Sequence, residues 1–139
     1  MSAMKTFHLE ILTPERPFYV GDCLSIVIPV TDGMLGIMAG HTPLTAAIHD
    51  GCVTYTLPDG RKVSCAVSRG MLRVDREGAK LLCDSAVLPE NVDEEKERAE
   101  IEEAMTVLKE QQSHAEYVTA QLTLARAINN LKVKKDSAE

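Results

Sequence analysis

One stretch of the sequence decides the fold of this chain, namely Val53-Thr54-Tyr55-Thr56-Leu57-Pro58-Asp59-Gly60-Arg61-Lys62-Val63-Ser64-Cys65-Ala66-Val67. Its two ends alternate between apolar and small or polar residues, which is typical of β-strands with one buried and one exposed face. Between them, Pro58 presets φ and Gly60 supplies the positive φ that a tight reversal needs. The stretch therefore predicts a β-hairpin.

Further β-type runs lie on both sides of this hairpin, at residues 7–12, 23–30, 71–74 and 79–83. Turn-forming residues separate the runs at roughly the 8–12-residue spacing of sandwiches and barrels. Residues 75–78 predict a second hairpin with a longer loop. We assign residues 1–88 to an N-terminal antiparallel β-sandwich domain.

After Pro89 the apolar period changes from two residues to about 3.6, which indicates helices. The first helix carries an apolar stripe and begins with a predicted capping box of Asn91 and Glu94. The stripe comprises Ile101, Ala104, Met105 and Leu108. Gln111, Gln112 and His114 interrupt the period, and Ser113 with Glu116 predicts a second cap.

The second helix has a predicted seam of Tyr117, Gln121, Leu124, Ile128 and Leu131. Two helices joined by a few polar residues predict an antiparallel two-helix hairpin over residues 89–139. Such a pair is only marginally stable alone, since its small buried area barely offsets the ordering of its backbone. We therefore expect the hairpin to need a second surface, either the sandwich or a partner.

Charge argues against nucleic acid and anionic lipid as main partners of this chain. The 139 residues carry a net charge of −6, whereas binding to a phosphate backbone needs clustered Lys and Arg. Residues 89–139 carry 12 acidic and 7 basic side chains, so most of the negative charge belongs to the helical part. The start of the chain has no apolar leader, and no long apolar run follows, which predicts a soluble, cytosolic chain.

The cysteines and histidines do not form a pattern that points to a metal or a catalytic centre. Cys23, Cys52, Cys65 and Cys83 contain no CxxC pair, which argues against zinc and favours buried, reduced thiols. The glycine-containing segment 33–41 lacks the Lys-Ser or Lys-Thr of a phosphate-binding loop. His41 precedes Thr42-Pro43, which favours a structural or interface role. The sequence thus predicts a non-catalytic protein adaptor.

Residues 27–38 form a long apolar stretch that Pro29 and Gly33 interrupt. We interpret part of this stretch as core and part as an exposed docking patch. Met34 and Met38 suit such a patch, because methionine adapts to uneven partner surfaces.

Four segments resemble the epsilon subunit of bacterial F-type ATP synthases, and the similarity covers essentially the whole chain. They are residues 33–44 (Gly-Met-Leu-Gly-Ile-Met-Ala-Gly-His-Thr-Pro-Leu) with the following Ala47, Ile48 and Gly51, residues 70–74, residues 81–86 and residues 125–133. The resemblance implies a rotor subunit of the central stalk in a proton-translocating ATP synthase. In that family the sandwich clamps the gamma subunit and rests on the ring of c subunits.

The resemblance also implies a regulatory role for the helices. In that family the hairpin folds against the sandwich or extends along gamma into the catalytic alpha/beta head, where it inhibits ATP hydrolysis. We therefore expect a non-enzymatic, peripheral protein at the cytoplasmic face of the cell membrane, with no direct membrane insertion.

By the same resemblance, Thr13 and the loop around Met34 correspond to family positions near the foot of the stalk, and His41 faces gamma. The expected gamma and c-ring interface comprises Thr13, Met34, Leu35, Ile37, His41 and Pro43. Many family members have an acidic residue where Met34 stands, so an apolar contact to the ring is expected to replace a polar one.

Some members of the family bind ATP on the folded hairpin through an Ile/Leu-Asp-x-x-Arg-Ala motif. This chain has Val92-Asp93-Glu94-Glu95-Lys96-Glu97 at that place. Asp93, Lys96 and Arg126 are the candidate ATP-sensing residues, and Asn130 stands at another basic position of the family. Loss of an arginine fork and gain of a carboxylate predict weak or absent ATP binding, and no cofactor is expected.

Two other classes of function remain open at this point. A free-standing β-sandwich scaffold would not co-purify with a gamma subunit. A small cysteine-dependent enzyme would need one reactive thiol, whereas buried cysteines react slowly with labelling reagents.

Overall fold

The computed structural model describes residues 5–110 and 113–138. In chain order these residues form strands, a 3₁₀ turn and two helices. The elements are β1 (Phe7–Leu12), β2 (Pro17–Cys23), β3 (Ser25–Val30), β4 (Gly33–Met38), β5 (Leu44–Ile48), β6 (Gly51–Thr56), β7 (Lys62–Val67), β8 (Gly70–Asp75), β9 (Gly78–Cys83), β10 (Ala86–Val87), the 3₁₀ turn (Pro89–Asn91), α1 (Glu94–Glu110) and α2 (His114–Ala138).

The strands form two five-stranded sheets that enclose one apolar core. Sheet A has the order β2-β1-β9-β8-β5, and sheet B has the order β10-β7-β6-β3-β4. Neighbours pair antiparallel, except that β1 and β9 run parallel. Large apolar side chains from both sheets fill the space between them, among them Leu9, Ile11, Ile26, Ile28, Val53, Leu72 and Leu81. The predicted sandwich, followed by a helical hairpin, is confirmed.

The hairpin of β6 and β7 has the predicted turn. Val53 faces Cys65 across the ladder, and the amide of Leu57 donates to the carbonyl of Arg61 at 2.8 Å. Gly60 has φ of 92°, the left-handed conformation that glycine adopts without strain.

The second hairpin, between β8 and β9, is tighter than predicted. Asp75 already pairs with Gly78, so the loop comprises two residues, and the expected longer loop is wrong. Gly78 has φ of 138°, and a Cβ there would lie 2.2 Å from the carbonyl oxygen of His8 on β1. Only glycine therefore allows β1 to lie this close to the turn.

The apolar run at 23–30 spans the end of one strand and the whole of the next. Cys23 ends β2 in sheet A, and Ser25 begins β3 in sheet B, so the chain changes sheets at Leu24. The sequence patterns also missed β4 and β5, which contain glycine, threonine and alanine where strong strand formers were sought. They likewise missed β2, except for its last residue, and the short β10.

The first helix begins later than predicted. Asp93 caps α1, since its Oδ1 accepts from the amide of Lys96 at 3.2 Å, whereas Asn91 belongs to the 3₁₀ turn. Ser113 caps α2 as predicted, with Oγ accepting from the amide of Glu116 at 3.1 Å. Gln111 and Gln112 of the predicted linker lie outside the described residues.

Three alanines are among the most buried apolar residues of the helical hairpin, which differs from the predicted seam. Ala104, Ala120 and Ala127 are almost fully buried. Several large apolar residues that we assigned to the seam lie at its edges, and Met105 and Ile128 are 49% and 50% exposed. The most buried apolar positions are thus taken by small side chains, and the longer apolar side chains lie at the flanks.

The hairpin lies on the outer face of sheet B. Cys65, Ala66 and Val67 are all buried, which breaks the in-out alternation of β7. Cys65 and Val67 belong to the core between the sheets, whereas Ala66 points the other way and is covered by α2, which contacts β7. Among the described residues, no helix is long and apolar enough to cross a bilayer.

Candidate functional site

The predicted interface residues lie at two separate ends of the sandwich. At one end, Ile37, His41 and Pro43 line a cleft of about 1040 Å³ together with the start of β1 and the β8–β9 turn. The Nδ1 of His41 donates to the carbonyl of Thr42 at 2.7 Å, which fixes the ring over the turn. Ile37 is 1% exposed, so it supports this region from the core and does not present a contact surface.

Thr13 lies at the opposite end of β1, roughly 20 Å from the cleft at about 3.3 Å per strand residue. Its hydroxyl donates to the carbonyl of Arg16 at 2.7 Å and closes a short loop. Thr13 also lines a cavity of about 380 Å³ with Asn91 and Arg126, next to the base of the hairpin. The structure therefore separates Thr13 from His41.

Met34 and Leu35 lie on β4, which is an edge strand of sheet B. Met34 is 59% exposed, while Leu35 is half-buried against the core. Met38, at the other end of the same strand, is 54% exposed. The predicted division of this segment into core and exposed parts is therefore correct, but the two methionines lie at opposite ends of the strand.

The structure also has an exposed apolar surface that the sequence patterns did not single out, and we call it the sheet A row. It crosses β5, β8, β9 and β1 at paired positions, on the face of sheet A away from the core. Its members are Ala47, Met71, Leu82 and Leu12. Met71 and Leu82 are 49% and 50% exposed. The sequence could have indicated this surface, because each of these strands carries an apolar residue at a position that alternation assigns to the outward face.

Few polar contacts hold the hairpin closed and docked. The amide nitrogen of Asn129 donates to the carbonyls of Gly51 and Val67, at 3.2 and 3.1 Å, and so bridges α2 to sheet B. The Nζ of Lys134 donates to the carbonyls of Pro89 and Val92, at 3.3 and 3.0 Å. This lysine ties the end of α2 to the connecting segment before α1.

Two further contacts join α1 to α2. Arg126 pairs with Glu100, and Asn130 donates to the Oε1 of Glu97 at 3.2 Å. Glu97 is 9% exposed and Asn130 is 5% exposed, so their contact is buried. The sequence patterns gave no sign of it, because Glu97 looked like one more acidic residue of a solvated face.

The three candidate ATP-sensing residues do not converge in this arrangement. Asp93 is committed to the helix cap, Lys96 is exposed, and Arg126 is engaged by Glu100. Asp93 and Glu100 lie about 10 Å apart along α1 at 1.5 Å per residue. Near the start of α1, Lys134 of α2 bonds the carbonyl of Val92.

Three of the four thiols, those of Cys23, Cys65 and Cys83, are unsuited to nucleophilic chemistry. All four cysteines are free, and three of them are buried. Burial raises the pKa of Cys23 to about 12 and that of Cys83 to about 11, and it also raises the pKa of Cys65. A thiol in such surroundings stays protonated at neutral pH and is a poor nucleophile. Within residues 5–110 and 113–138, no group of three His, Cys, Asp or Glu side chains could hold a metal ion.

Comparisons with known proteins identify relatives over almost the full chain. The family model described as ATP synthase, Delta/Epsilon chain, beta-sandwich domain matches residues 6–89. An ATP synthase epsilon chain from Caldanaerobacter subterraneus is 38% identical, covering 93% of this chain and 94% of the relative. An ATP synthase epsilon chain from Bacillus licheniformis is 33% identical, covering 95% of this chain and 100% of the relative.

Solved structures share the fold at lower sequence identity. A chain in the mitochondrial ATP synthase of Euglena gracilis aligns with a TM-score of 0.71 at 19% identity, covering 100% of this chain and 84% of that one. A chain in the central stalk and c-ring structure of Tetrahymena thermophila mitochondrial ATP synthase aligns with a TM-score of 0.58 at 11% identity, covering 96% of this chain and 99% of that one.

Proposed function

We infer the function from one premise: the chain belongs to the family of ATP synthase epsilon chains. We propose that it is a non-catalytic rotor component of the central stalk, which links the gamma subunit to the c ring. Residues 1–88 are the docking part and residues 89–139 are the regulatory part. The protein would then act peripherally at the cytoplasmic face of the membrane.

The surface that we assign to gamma is the outer face of sheet A, which extends from the sheet A row, beside Thr13, to the cleft at His41 and Pro43. Two observations support this assignment. The hairpin covers sheet B and leaves the outer face of sheet A open, and that face presents apolar side chains that are about half exposed. Exposed apolar side chains that cluster on one face mark sites of protein contact.

The contact that we assign to the c ring is the other end of the sandwich, around Met34, Leu35 and Thr13. The connectors at this end are tied together, since Thr31 bonds His49 at 2.9 Å and Asp50 accepts from the amide of Arg69 at 2.8 Å. A rigid end of this kind suits a part that transmits torque. The exposed thioether of Met34 would make an apolar contact there.

The helices would act as the inhibitory element on ATP hydrolysis by the alpha/beta head. The observation that carries this proposal is the small number of ties between the hairpin and the sandwich, chiefly the bridge from Asn129. A helix pair held by few contacts can leave one surface for another, provided that the new partner offers comparable burial.

Truncation of the chain before α1 tests this role. We expect an assembled ATP synthase whose epsilon chain ends at Leu88 to hydrolyse ATP faster than the intact complex, with gamma still bound. A matched control keeps the helices but replaces Met71 and Leu82 with Glu. That control should weaken co-purification with gamma. Unchanged hydrolysis after truncation would contradict the inhibitory role, and loss of gamma on truncation would contradict the division into two parts.

Binding of ATP to the isolated chain is expected to be weak or absent. Arg126 is paired with Glu100, so its guanidinium is not free to bind a phosphate group. Calorimetric titration with ATP checks this expectation, and micromolar affinity would overturn it.

A further inference from the structure

A row of polar side chains crosses the outer face of sheet A beside the sheet A row, and we call it the polar row. Its members occupy paired positions on neighbouring strands: Glu10 of β1 lies opposite Lys80 of β9, Lys80 opposite Arg73 of β8, and Arg73 opposite Thr45 of β5. The residues that flank each member along its strand pack into the core. Because side chains alternate along a strand, the polar row points away from the core.

Two cations lie directly opposite each other in the polar row. The Cβ atoms of opposed residues in an antiparallel pair are about 4.5–5.5 Å apart, and like charges at such positions destabilise a sheet. Lys80 is compensated, because its Nζ lies 3.5 Å from Oε2 of Glu10. Arg73 is not compensated, since none of the ion pairs in the part of the chain that the structure describes includes it. The sheet therefore presents an exposed guanidinium beside a like charge.

The other neighbours of Arg73 on this face do not neutralise it. Asp75 lies two residues later on β8, but its Oδ1 accepts from the amide of Glu77 at 2.8 Å and so belongs to the β8–β9 turn. Met71 lies two residues earlier and is 49% exposed. Thr45 brings a hydroxyl group, which can donate to an anion but carries no charge. Arg73 is thus bordered by a second cation, a hydroxyl group and an apolar side chain.

Arg73 lies in the interior of the surface that we assign to gamma. Met71 of the sheet A row precedes it by two residues, and Val74 and Asp75, which follow it directly, line the cleft at His41. A partner that covers both the sheet A row and the cleft must therefore cover Arg73 as well. A charged group that loses its water without gaining a counter-ion strongly disfavours binding. The partner consequently needs an anionic group opposite Arg73.

We propose that a carboxylate of the gamma subunit binds Arg73, between Lys80 and Thr45, and that this contact fixes the register and specificity of docking on sheet A. The inference rests on the proposed function, because it takes the partner on sheet A to be gamma. The planar guanidinium binds both oxygens of a carboxylate at once, which gives the contact a defined geometry. The same carboxylate offsets the repulsion between Arg73 and Lys80. Arg73 thus weakens the free sheet slightly and strengthens the complex.

Substitution of Arg73 by Gln in the full-length chain tests the proposal. The probe is the complex of the alpha, beta and gamma subunits of the same synthase, prepared without its epsilon chain, and the affinity is measured by binding kinetics on an immobilised complex. Arg73→Gln should bind more weakly by about 30-fold or more, chiefly through faster dissociation, because it leaves a covered carboxylate unpaired. Arg73→Glu should bind more weakly still, since it places two carboxylates side by side.

Arg61→Gln is the matched control, because it removes the same charge from the β6–β7 turn of sheet B, where the side chain is 75% exposed. This control should keep the affinity of the unmodified chain. Arg73→Lys keeps the charge but loses the planar fork, so its affinity should fall between those of the unmodified chain and Arg73→Gln. Equal affinity of Arg73→Gln and the unmodified chain would overturn the proposal, and so would an equal loss in Arg61→Gln.

Thermal unfolding of the isolated chain provides a second measurement. Arg73→Gln should raise the melting temperature slightly at low salt, because it removes the like charge opposite Lys80. A lower melting temperature would show that Arg73 stabilises the sheet itself, and the proposal would be wrong.

Failure of this inference differs from failure of the proposed function. If the unmodified chain does not bind the complex, the proposed function is wrong. If the unmodified chain binds, and Met71→Glu weakens binding while Arg73→Gln does not, docking on sheet A stands and the role of Arg73 is rejected.

Discussion

The sandwich and the helical hairpin are stabilised in different ways, although they belong to one chain. The core between the sheets consists of large apolar side chains such as Ile26, Leu72 and Leu81, which are 0% exposed. The hairpin buries alanines along its seam and depends on a few polar contacts to stay in place. Apolar burial is non-directional and hard to reverse locally, whereas a few directed contacts can be exchanged for others.

The largest effect is expected from a cavity in the sandwich. Leu72→Ala should lower the free energy of unfolding by about 2–5 kcal/mol, because a fully buried leucine loses both its burial and its packing partners. Chemical denaturation followed by circular dichroism measures this loss. Met71→Ala is the control on the neighbouring, exposed position and should change stability by less than about 0.5 kcal/mol. Equal losses for the two variants would contradict the assigned faces of β8.

The next effect concerns the alanine seam. Ala127→Leu should weaken packing of the hairpin by about 1–3 kcal/mol, since Ala127 is fully buried and a larger side chain would overpack its surroundings. Hydrogen exchange should become faster in α2 and stay unchanged in β8 and β9. Ala125→Leu, at an exposed position of the same helix, should have little effect. Loss of protection in the sandwich as well would show that the two parts unfold together.

A smaller effect is expected at the bridge between α2 and sheet B. Asn129→Ala should destabilise docking by about 1–2 kcal/mol, because two carbonyls at the β6–β7 edge lose their donor. Hydrogen exchange at α2 measures this change, and Ile128→Ala is the adjacent control at a half-exposed residue. If both variants behave alike, the bridge does not hold the hairpin.

The smallest effect is expected in a test that changes no residue. It compares the rates at which the cysteines of the unmodified chain react with a thiol reagent. Burial raises the pKa of Cys23 and Cys83 above the ordinary thiol value, so both should react with a thiol reagent only when the sandwich opens. Cys52 is half-buried on the face of sheet B that pairs with Ala66, so it should react sooner and report on the hairpin. If Cys23, Cys52 and Cys83 react with the reagent at the same rate, the sandwich and the hairpin do not open separately.

The sequence predicted the sandwich well, because alternation and turn chemistry are local signals. The turn at Pro58 and Gly60 could be assigned without any tertiary information. Strand β4 was missed because Gly33 and Gly36 lower its strand propensity, and its pairing with β3 depends on tertiary context. The change of sheet at Leu24 likewise has no local signal, since the residues on both sides of it are strand formers.

The hairpin was harder to predict in detail. Both helices were expected, but the seam could not be placed, because a helix with alanine on one face and leucine or isoleucine on another offers two apolar stripes. The packed hairpin buries the alanine side of α2, at Ala120 and Ala127, and only the packing reveals this. The burial of Glu97 depends in turn on that choice, because Glu97 lies on the same face of α1 as the buried Ala104, two turns before it.

The parallel pairing of β1 with β9 has a consequence for how the protein is made. Leu9 lies opposite Ala79, so β1 must wait for one of its two neighbours, β9, which is synthesised after most of the sandwich. Chains grow by about 5–20 residues per second, and contacts between distant residues form slowly. The local hairpin of β6 and β7 can form before sheet A is complete. During that interval the unpaired edge of β1 needs protection from other nascent chains, and the helices can dock only afterwards.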